Sequence, residues 1–304
     1  MSAESRFLPL LRLLAHDPAA QGLMDDVAVL PVGGTRLILT SDTMVEGVHY
    51  LPTDPPADIG WKLAAVNLSD LAAKGARPVG CLLNYALSGD EDWDAAFIAG
   101  LGEALDRHAM PLLGGDTVKM PQGAPRSYSL TAIGEATGPV PTRTGAQPGD
   151  RLYITGPVGD AGIGLILASA DRHAAGPLVD AYRRPRPRLA EGALLAPLAT
   201  AMMDVSDGLL IDAQRMAIAS GVAITIDHIP LSSALEQVRG GSTAVQLAAA
   251  RAGDDYELLF ALPSVIRPPV RAIPVGHVAT GSGLVLMIDG AVMPLPDSLG
   301  WEHG

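Results

Sequence analysis

The chain has 304 residues, 48% of them hydrophobic, and a net charge of −12. That content excludes general disorder, and the charge argues against nonspecific binding to nucleic acid or anionic lipid. No apolar run approaches the roughly 18 residues that a membrane-spanning helix needs, and a single cysteine, Cys81, rules out an intrachain disulfide and points to a reducing, cytoplasmic compartment.

From the N-terminus, MSAESRFLPLLRLLAHDP reads as a short amphipathic helix: Arg12 interrupts it and no small-residue cleavage site follows. VAVL (27–30), a Gly33-Gly34 turn and RLILTSD suggest a hairpin. Residues 57–75 read as a helix stopped by Gly75, with Leu63, Asn67, Asp70 and Lys74 at i, i+4, i+7 and i+11, so that three polar groups share one stripe. VGCLLNYAL is a strand, 92–108 a helix, LLGGD a short strand and RSYSLTAIGEA another strand. The Pro/Gly-rich stretch TGPVPTRTGAQPGD (137–150) marks a boundary, which gives an N-terminal domain over 1–140 and a C-terminal domain over 147–304. Beyond it, RLYITG is a strand, GPVGDAGIGLILA a tight turn into a helix, and MMDVSDGLL a strand then a helix. VAITID, YELLFAL and LVLMID are strands. The alternation is irregular, so the class is α/β or α+β with mixed sheets.

Carboxylates gather where apolar segments meet turns. Asp25 and Asp26 precede VAVL, Asp42 ends LILTSD, Asp70 lies on the polar stripe, Asp116 ends LLGGD, Asp204 and Asp207 flank a Val-Ser pair, and Asp254-Asp255 precede YELLF. Any one of these is ordinarily a cap or turn residue. So many together, in a chain with only three lysines, strain that explanation. Two carboxylates 4 Å apart repel by roughly 4 kcal/mol at an effective dielectric near 20. A divalent cation removes that repulsion, and hard oxygen ligands select Mg²⁺ or Ca²⁺, with Mg²⁺ preferring to be shared with phosphates. No GxxxxGK[ST], GxGxxG, HExxH or GxSxG pattern is present, so a Walker loop, a dinucleotide fingerprint, catalytic zinc and a serine elbow are all unsupported. A nucleotide site here would rest on metal ions and backbone amides, and Gly114-Gly115 beside Asp116 would let backbone approach a phosphate.

GLMDDVAVL, TSDTMVEGVH, WKLAAVNLSDLAAKGA, LLGGDT, TRTGAQPGD, YITGPVGDAG, RRPRPRLAEG, MDVSDGL and GDDYELLF occur in that order. Together they resemble the thiamine-monophosphate kinases, from about residue 22 to the terminal GWEHG. SDGL and GGDT alone are shared with aminoimidazole ribonucleotide synthetase, selenide water dikinase and a hydrogenase maturation protein. One departure is Met24, where the family usually has Gly before the Asp pair.

The resemblance implies ATP-dependent phosphorylation of thiamine monophosphate to thiamine diphosphate with several Mg²⁺ ions. It implies metal on Asp26, Ser41, Asp42, Asp70, Asp116, Asp204 and Asp207, with Thr40 nearby, and gives Asp42 and Asp207 the catalytic weight. It implies ATP contacts from Gly115, Asp116, Arg143 and Ser206, and acceptor contacts from His49, Asp254 and Trp301. It also implies a homodimer in which N-terminal sheets combine into a barrel. The plainer readings stay open: His49 as a loop histidine, Arg143 as a solvated charge, Trp301 as a packing anchor. So do two alternatives: a synthetase or kinase of the same superfamily with another acceptor, and a non-catalytic Mg-nucleotide binding protein.

Overall fold

The computed structural model describes residues 3–302, so the last two residues of GWEHG and the first two of the N-terminal helix lie outside the described residues. Two mixed sheets define a two-domain α+β fold. The first has strand order β1-β2-β5-β3-β4, from β1 (Ala28–Val32), β2 (Thr35–Val45), β3 (Ala76–Leu87), β4 (Leu112–Lys119) and β5 (Ser127–Ala136). Only β3 and β4 run parallel, joined through α3 (Glu91–Arg107), as a parallel pair requires a crossover. The second sheet has seven strands, from β6 (Asp150–Ile154), β7 (Ala201–Val205), β8 (Ala223–Ile226), β9 (Glu257–Pro263), β10 (Ile273–Ala279), β11 (Gly283–Ile288) and β12 (Ala291–Met293). Its order is β12-β11-β8-β10-β6-β9-β7, which puts β7 at one edge.

Helix α2 (Pro56–Ala73) joins the two halves. Every residue from Ile59 to Ala73 is buried, as expected for a helix packed on all sides. One side packs on the first sheet, in a core with Ile38, Met44, Tyr128 and Leu130. Its end, Ala72 and Ala73, joins a separate core with Met202, Leu258 and Phe260 from β7 and β9. Leu63, Leu68 and Leu71 are fully buried, each stabilising the fold by about 1.5–3 kcal/mol. Gly75, at φ +59°, stops the helix in a left-handed turn.

Most elements expected from the pattern occur, with different limits. The hairpin, α2, β3, α3, β5, β6, α4 (Asp160–Ala170), β7, α7 (Leu209–Ser220), β8, β9 and β11 all form, and Ala3–Arg12 forms the N-terminal helix α1. The Thr-Ser-Asp-Thr patch does not end its strand: β2 continues through it to Val45. Beyond Leu39 the strand has outrun β1, so the Asp42 N–H donates to Asn67 Oδ1 on α2 at 3.1 Å. The short helices α5 (Pro177–Arg183), α6 (Leu189–Leu195), α8 (Ser233–Arg239) and α9 (Thr243–Ala249), and strand β10, were not marked by periodicity. Met24 sits at φ −102°, where any side chain is tolerated; the left-handed turn falls one to three residues earlier, at Gln21, Gly22 and Leu23.

Candidate active site

A cavity of about 650 Å³ opens between the halves. Strand alternation puts Thr40 and Asp42 on the face of β2 that meets α2, and the polar stripe of α2 faces them. Thr40 Oγ1 donates to Asp70 Oδ2. From the other half, the edge strand β7 brings in Asp204, which accepts from Ser69 Oγ at 2.7 Å. Carboxylate oxygens of Asp26, Asp70 and Asp204 lie within 4.8 Å of one another. Asp42, Ser206 and Asp207 stand on the same cavity wall.

Crowding and burial shape the protonation of this group. Burial, with the Asp26 charge beside it, pushes the Asp42 carboxyl up to about 6. Burial and Asp26 push Asp204 to about 8. Burial, then Asp42, Asp204 and Asp26, raise Asp70 well above the usual carboxylate range. Asp26 goes the other way: burial alone would raise it, but Arg143 and Lys74 together hold it low. The upward shifts of Asp42, Asp70 and Asp204 describe buried carboxylates lacking a counter-charge. Three oxygen donors so placed, with no nitrogen or sulfur ligand among them, fit a hard divalent cation.

The cations nearby are each engaged. Arg143 pairs with Asp26, so this linker arginine is no solvated charge. Lys74 Nζ contacts Asp25 at 2.5 Å, both side chains buried. Arg215 bridges Asp207 and Asp212, at 2.5 and 2.8 Å. Asp212 is fully buried, accepts the Asp207 backbone N–H at 3.1 Å, and is pushed to about 7 by burial, against the pull of Arg215.

His49, Asp254 and Trp301 also line the cavity, with Val48, Leu165 and Tyr256. His49 Nδ1 accepts the Val45 N–H at 3.0 Å, which turns the chain after β2. Trp301 is half exposed, and its backbone N–H donates to the Asp207 carbonyl at 2.9 Å. The acceptor contact implied for Asp254 is already shared with a cation: Lys62 Nζ lies 2.6 Å from Asp254 Oδ2.

Two more expected residues stand apart. Gly115 and Asp116 lie on exposed β4, outside the cavity wall. The register Asp42–Leu130–Leu83–Gly115 puts Gly115 in the row of Asp42 but three strands away, roughly 14 Å. Gly115 also has a structural reason: a Cβ there would sit 1.7 Å from the Leu83 carbonyl oxygen. The Ser41 hydroxyl points to the opposite face and bonds Thr131 Oγ1 at 3.0 Å. Sequence reasoning assigned no role to Lys62, Asn67, Ser69, Asp212 or Arg215. Asn67 lay on the quoted stripe, and Asp212 follows Asp207 by five residues, which was the available signal.

The chain matches the family models for AIR synthase related proteins, the N-terminal domain over residues 24–136 and the C-terminal domain over residues 147–287. The fold and the carboxylate-lined cleft thus define a protein of that superfamily. A thiamine-monophosphate kinase of Caulobacter vibrioides is 36% identical, covering 97% of this chain and 89% of that protein. One of Escherichia coli is also 36% identical, covering 93% and 91%. A solved structure described as AaThiL complexed with AMPPCP and TMP superposes with a TM-score of 0.87 at 29% identity, over 98% of this chain and 96% of that one. A hydrogenase maturation protein at 22% identity and TM-score 0.71 shares the fold. The chain belongs to the thiamine-monophosphate kinase family, a family of phosphotransferases.

Proposed function

We propose that the protein moves the γ-phosphoryl group of ATP onto the phosphate of thiamine monophosphate, giving thiamine diphosphate and ADP, the last step of a cofactor biosynthesis. The observation that carries this is the convergence of Asp26, Asp70 and Asp204 on the wall of one cavity of about 650 Å³. The attacking atom is a phosphate oxygen with a second pKa near 6, already ionised at neutral pH, so no general base is needed. The reaction needs two polyanions held in line with their charge neutralised. Mg²⁺ ions, when bound, supply that positive charge.

In this reading Asp26, Thr40, Ser41, Asp42, Asp70, Asp204 and Asp207 would hold the ions, Ser41 through its backbone. Asp42 and Asp207 would be the pair on which turnover most depends. Arg143 and Ser206 would orient the nucleotide, and His49, Asp254 and Trp301 the acceptor. Gly115 and Asp116 would reach the far end of the triphosphate from β4. The two sheets would belong to domains over 1–140 and 147–304. Strand β4 is exposed along its whole length, with Leu112, Leu113 and Val118 open, at an unpaired sheet edge. Such an edge supports pairing with a second copy, the homodimer with a shared barrel. A cytoplasmic location fits the supply of both substrates.

The test is mass detection of thiamine diphosphate from thiamine monophosphate, ATP and Mg²⁺, with a chelated control. Product should form only in the unchelated reaction. Nucleotide binding without product supports a non-catalytic nucleotide-binding protein instead.

A further inference from the structure

Among the described residues, Lys62 is the single lysine or arginine on the cavity wall. Its side chain is almost fully buried, at 3% exposure, in a position where an ammonium is costly unless paired. Its Nζ reaches Asp254 Oδ2 at 2.6 Å and the His49 carbonyl at 3.1 Å, and lies 4.3 Å from the centroid of the Tyr182 ring. Three separate segments therefore converge on one ammonium: the loop after β2, the loop before β9, and α5.

Those segments are restrained by other contacts as well. Asp254 and Tyr256 hold left-handed backbones, φ +63° and +51°, unusual for residues with side chains. Asp254 is tied further by Tyr256 Oη, which donates to its Oδ1 at 3.0 Å, and by its own N–H to the Ser206 carbonyl at 2.7 Å. The loop after β2 is fixed to α5 by Asp54, which accepts from Tyr182 Oη at 2.7 Å and from Arg183 Nε at 2.9 Å. Lys62 is where the two restrained loops meet.

Helix α2 also sets a distance. Lys62, Val66 and Asp70 all face the cavity. Eight residues at 1.5 Å each separate Lys62 from Asp70, about 12 Å along the axis. The carboxylate cluster sits at one end of this ruler and the Lys62–Asp254 pair at the other.

We propose that Lys62 is a positioning residue for the acceptor. It locks His49 and Asp254 at a fixed distance from the carboxylate cluster and neutralises Asp254, so that the ring end of the acceptor meets a paired carboxylate rather than a bare one. This rests on the proposed acceptor, thiamine monophosphate. Charge-assisted hydrogen bonds of this kind correspond to a loss of about 10- to 100-fold in affinity when removed.

Calorimetric titration decides the matter, with thiamine monophosphate and separately with a nonhydrolysable ATP analogue, on wild type, Lys62→Met, Lys62→Arg and Lys62→Met/Asp254→Asn. Lys62→Met should weaken the acceptor about 10- to 100-fold and change the ATP analogue less than about twofold. Lys62→Arg should recover part of that loss, and it carries the same comparison should the methionine variant fail to fold. The double variant should stay as weak as Lys62→Met, because the His49 anchor is still missing. Unchanged or tighter acceptor binding by Lys62→Met, equal loss for both ligands, or full recovery in the double variant overturns the proposal. A wild-type protein that binds the ATP analogue but not thiamine monophosphate instead removes the proposed acceptor, and this inference with it.

Discussion

Asp204→Asn should stabilise the metal-free protein at pH 8 while abolishing most turnover. Asp204 is 3% exposed, and its carboxyl is pushed up to about 8 by burial and by Asp26. A shift of about four units from the ordinary carboxylate range corresponds to roughly 5 kcal/mol. Burial supplies the largest part of that cost and the charges of Asp26, Asp212 and Asp42 add to it, so an uncharged amide should relieve about half, roughly 2–3 kcal/mol. The amide keeps the acceptor that Ser69 Oγ needs. At about 2 °C per kcal/mol for a chain of this size, the melting temperature in chelator should rise by about 4–6 °C. Saturating Mg²⁺ should reverse the order, because the ion binds the native wild type and stabilises it, and the variant lacks that ligand. Melting curves at pH 8 with chelator and with Mg²⁺ read both effects. A variant that melts at or below wild type in chelator refutes the argument that these carboxylates are held together at a cost.

Asp42→Asn and Asp207→Asn should each lower the rate of thiamine diphosphate formation by about 10²–10³ with unchanged circular dichroism; near-normal turnover at saturating Mg²⁺ removes them from the reacting cluster. The metal-free protein should lose stability as pH rises. Asp42, Asp212 and Asp204 bind protons more tightly folded than unfolded, titrating near 6, 7 and 8. Their contribution is complete below about pH 4 and is lost progressively as pH rises to about 8, so melting temperature in chelator should fall across that range and the fall should flatten when Mg²⁺ is added. Trp301→Ala should weaken thiamine monophosphate several-fold to about thirtyfold, as loss of a cation–π face implies, with the ATP analogue and the melting temperature nearly unchanged. A lower melting temperature with unchanged acceptor affinity makes Trp301 a packing anchor instead.

What the sequence carried was local. The stripe Asn67, Asp70, Lys74 follows from helical periodicity alone, and all three side chains do face β2 or the segment before β1. The carboxylates at Asp26, Asp42, Asp204 and Asp207 could be picked out as a group because apolar segments abut them. What escaped were pairings between distant segments. Lys62 and Asp254 are 192 residues apart, and nothing in either local pattern announces the other. The exit of Asp42 from the β1 ladder depends on β1 beginning only at Ala28, a matter of strand length in the partner. The opposite orientation of Ser41 follows from strand alternation, and became visible only once β2 was seen to continue through the patch. The short helices α5, α6, α8 and α9 have seven residues each, too few for a periodic signal. The RRPRPRL run shows the same limit. Its arginines lie together in sequence, but Arg183, Arg184 and Arg188 pair with Asp54, Glu103 and Glu257, so the run ties the loop before α2, helix α3 and strand β9 together.

The central claim is that Asp26, Asp70 and Asp204 form a metal centre that serves a bound nucleotide. Anomalous diffraction from crystals grown with Mn²⁺ and a nonhydrolysable ATP analogue tests it directly. The account predicts a manganese peak within coordinating distance of all three carboxylates, bridged to the analogue's phosphates. An ordered nucleotide with no manganese among those three side chains would contradict it.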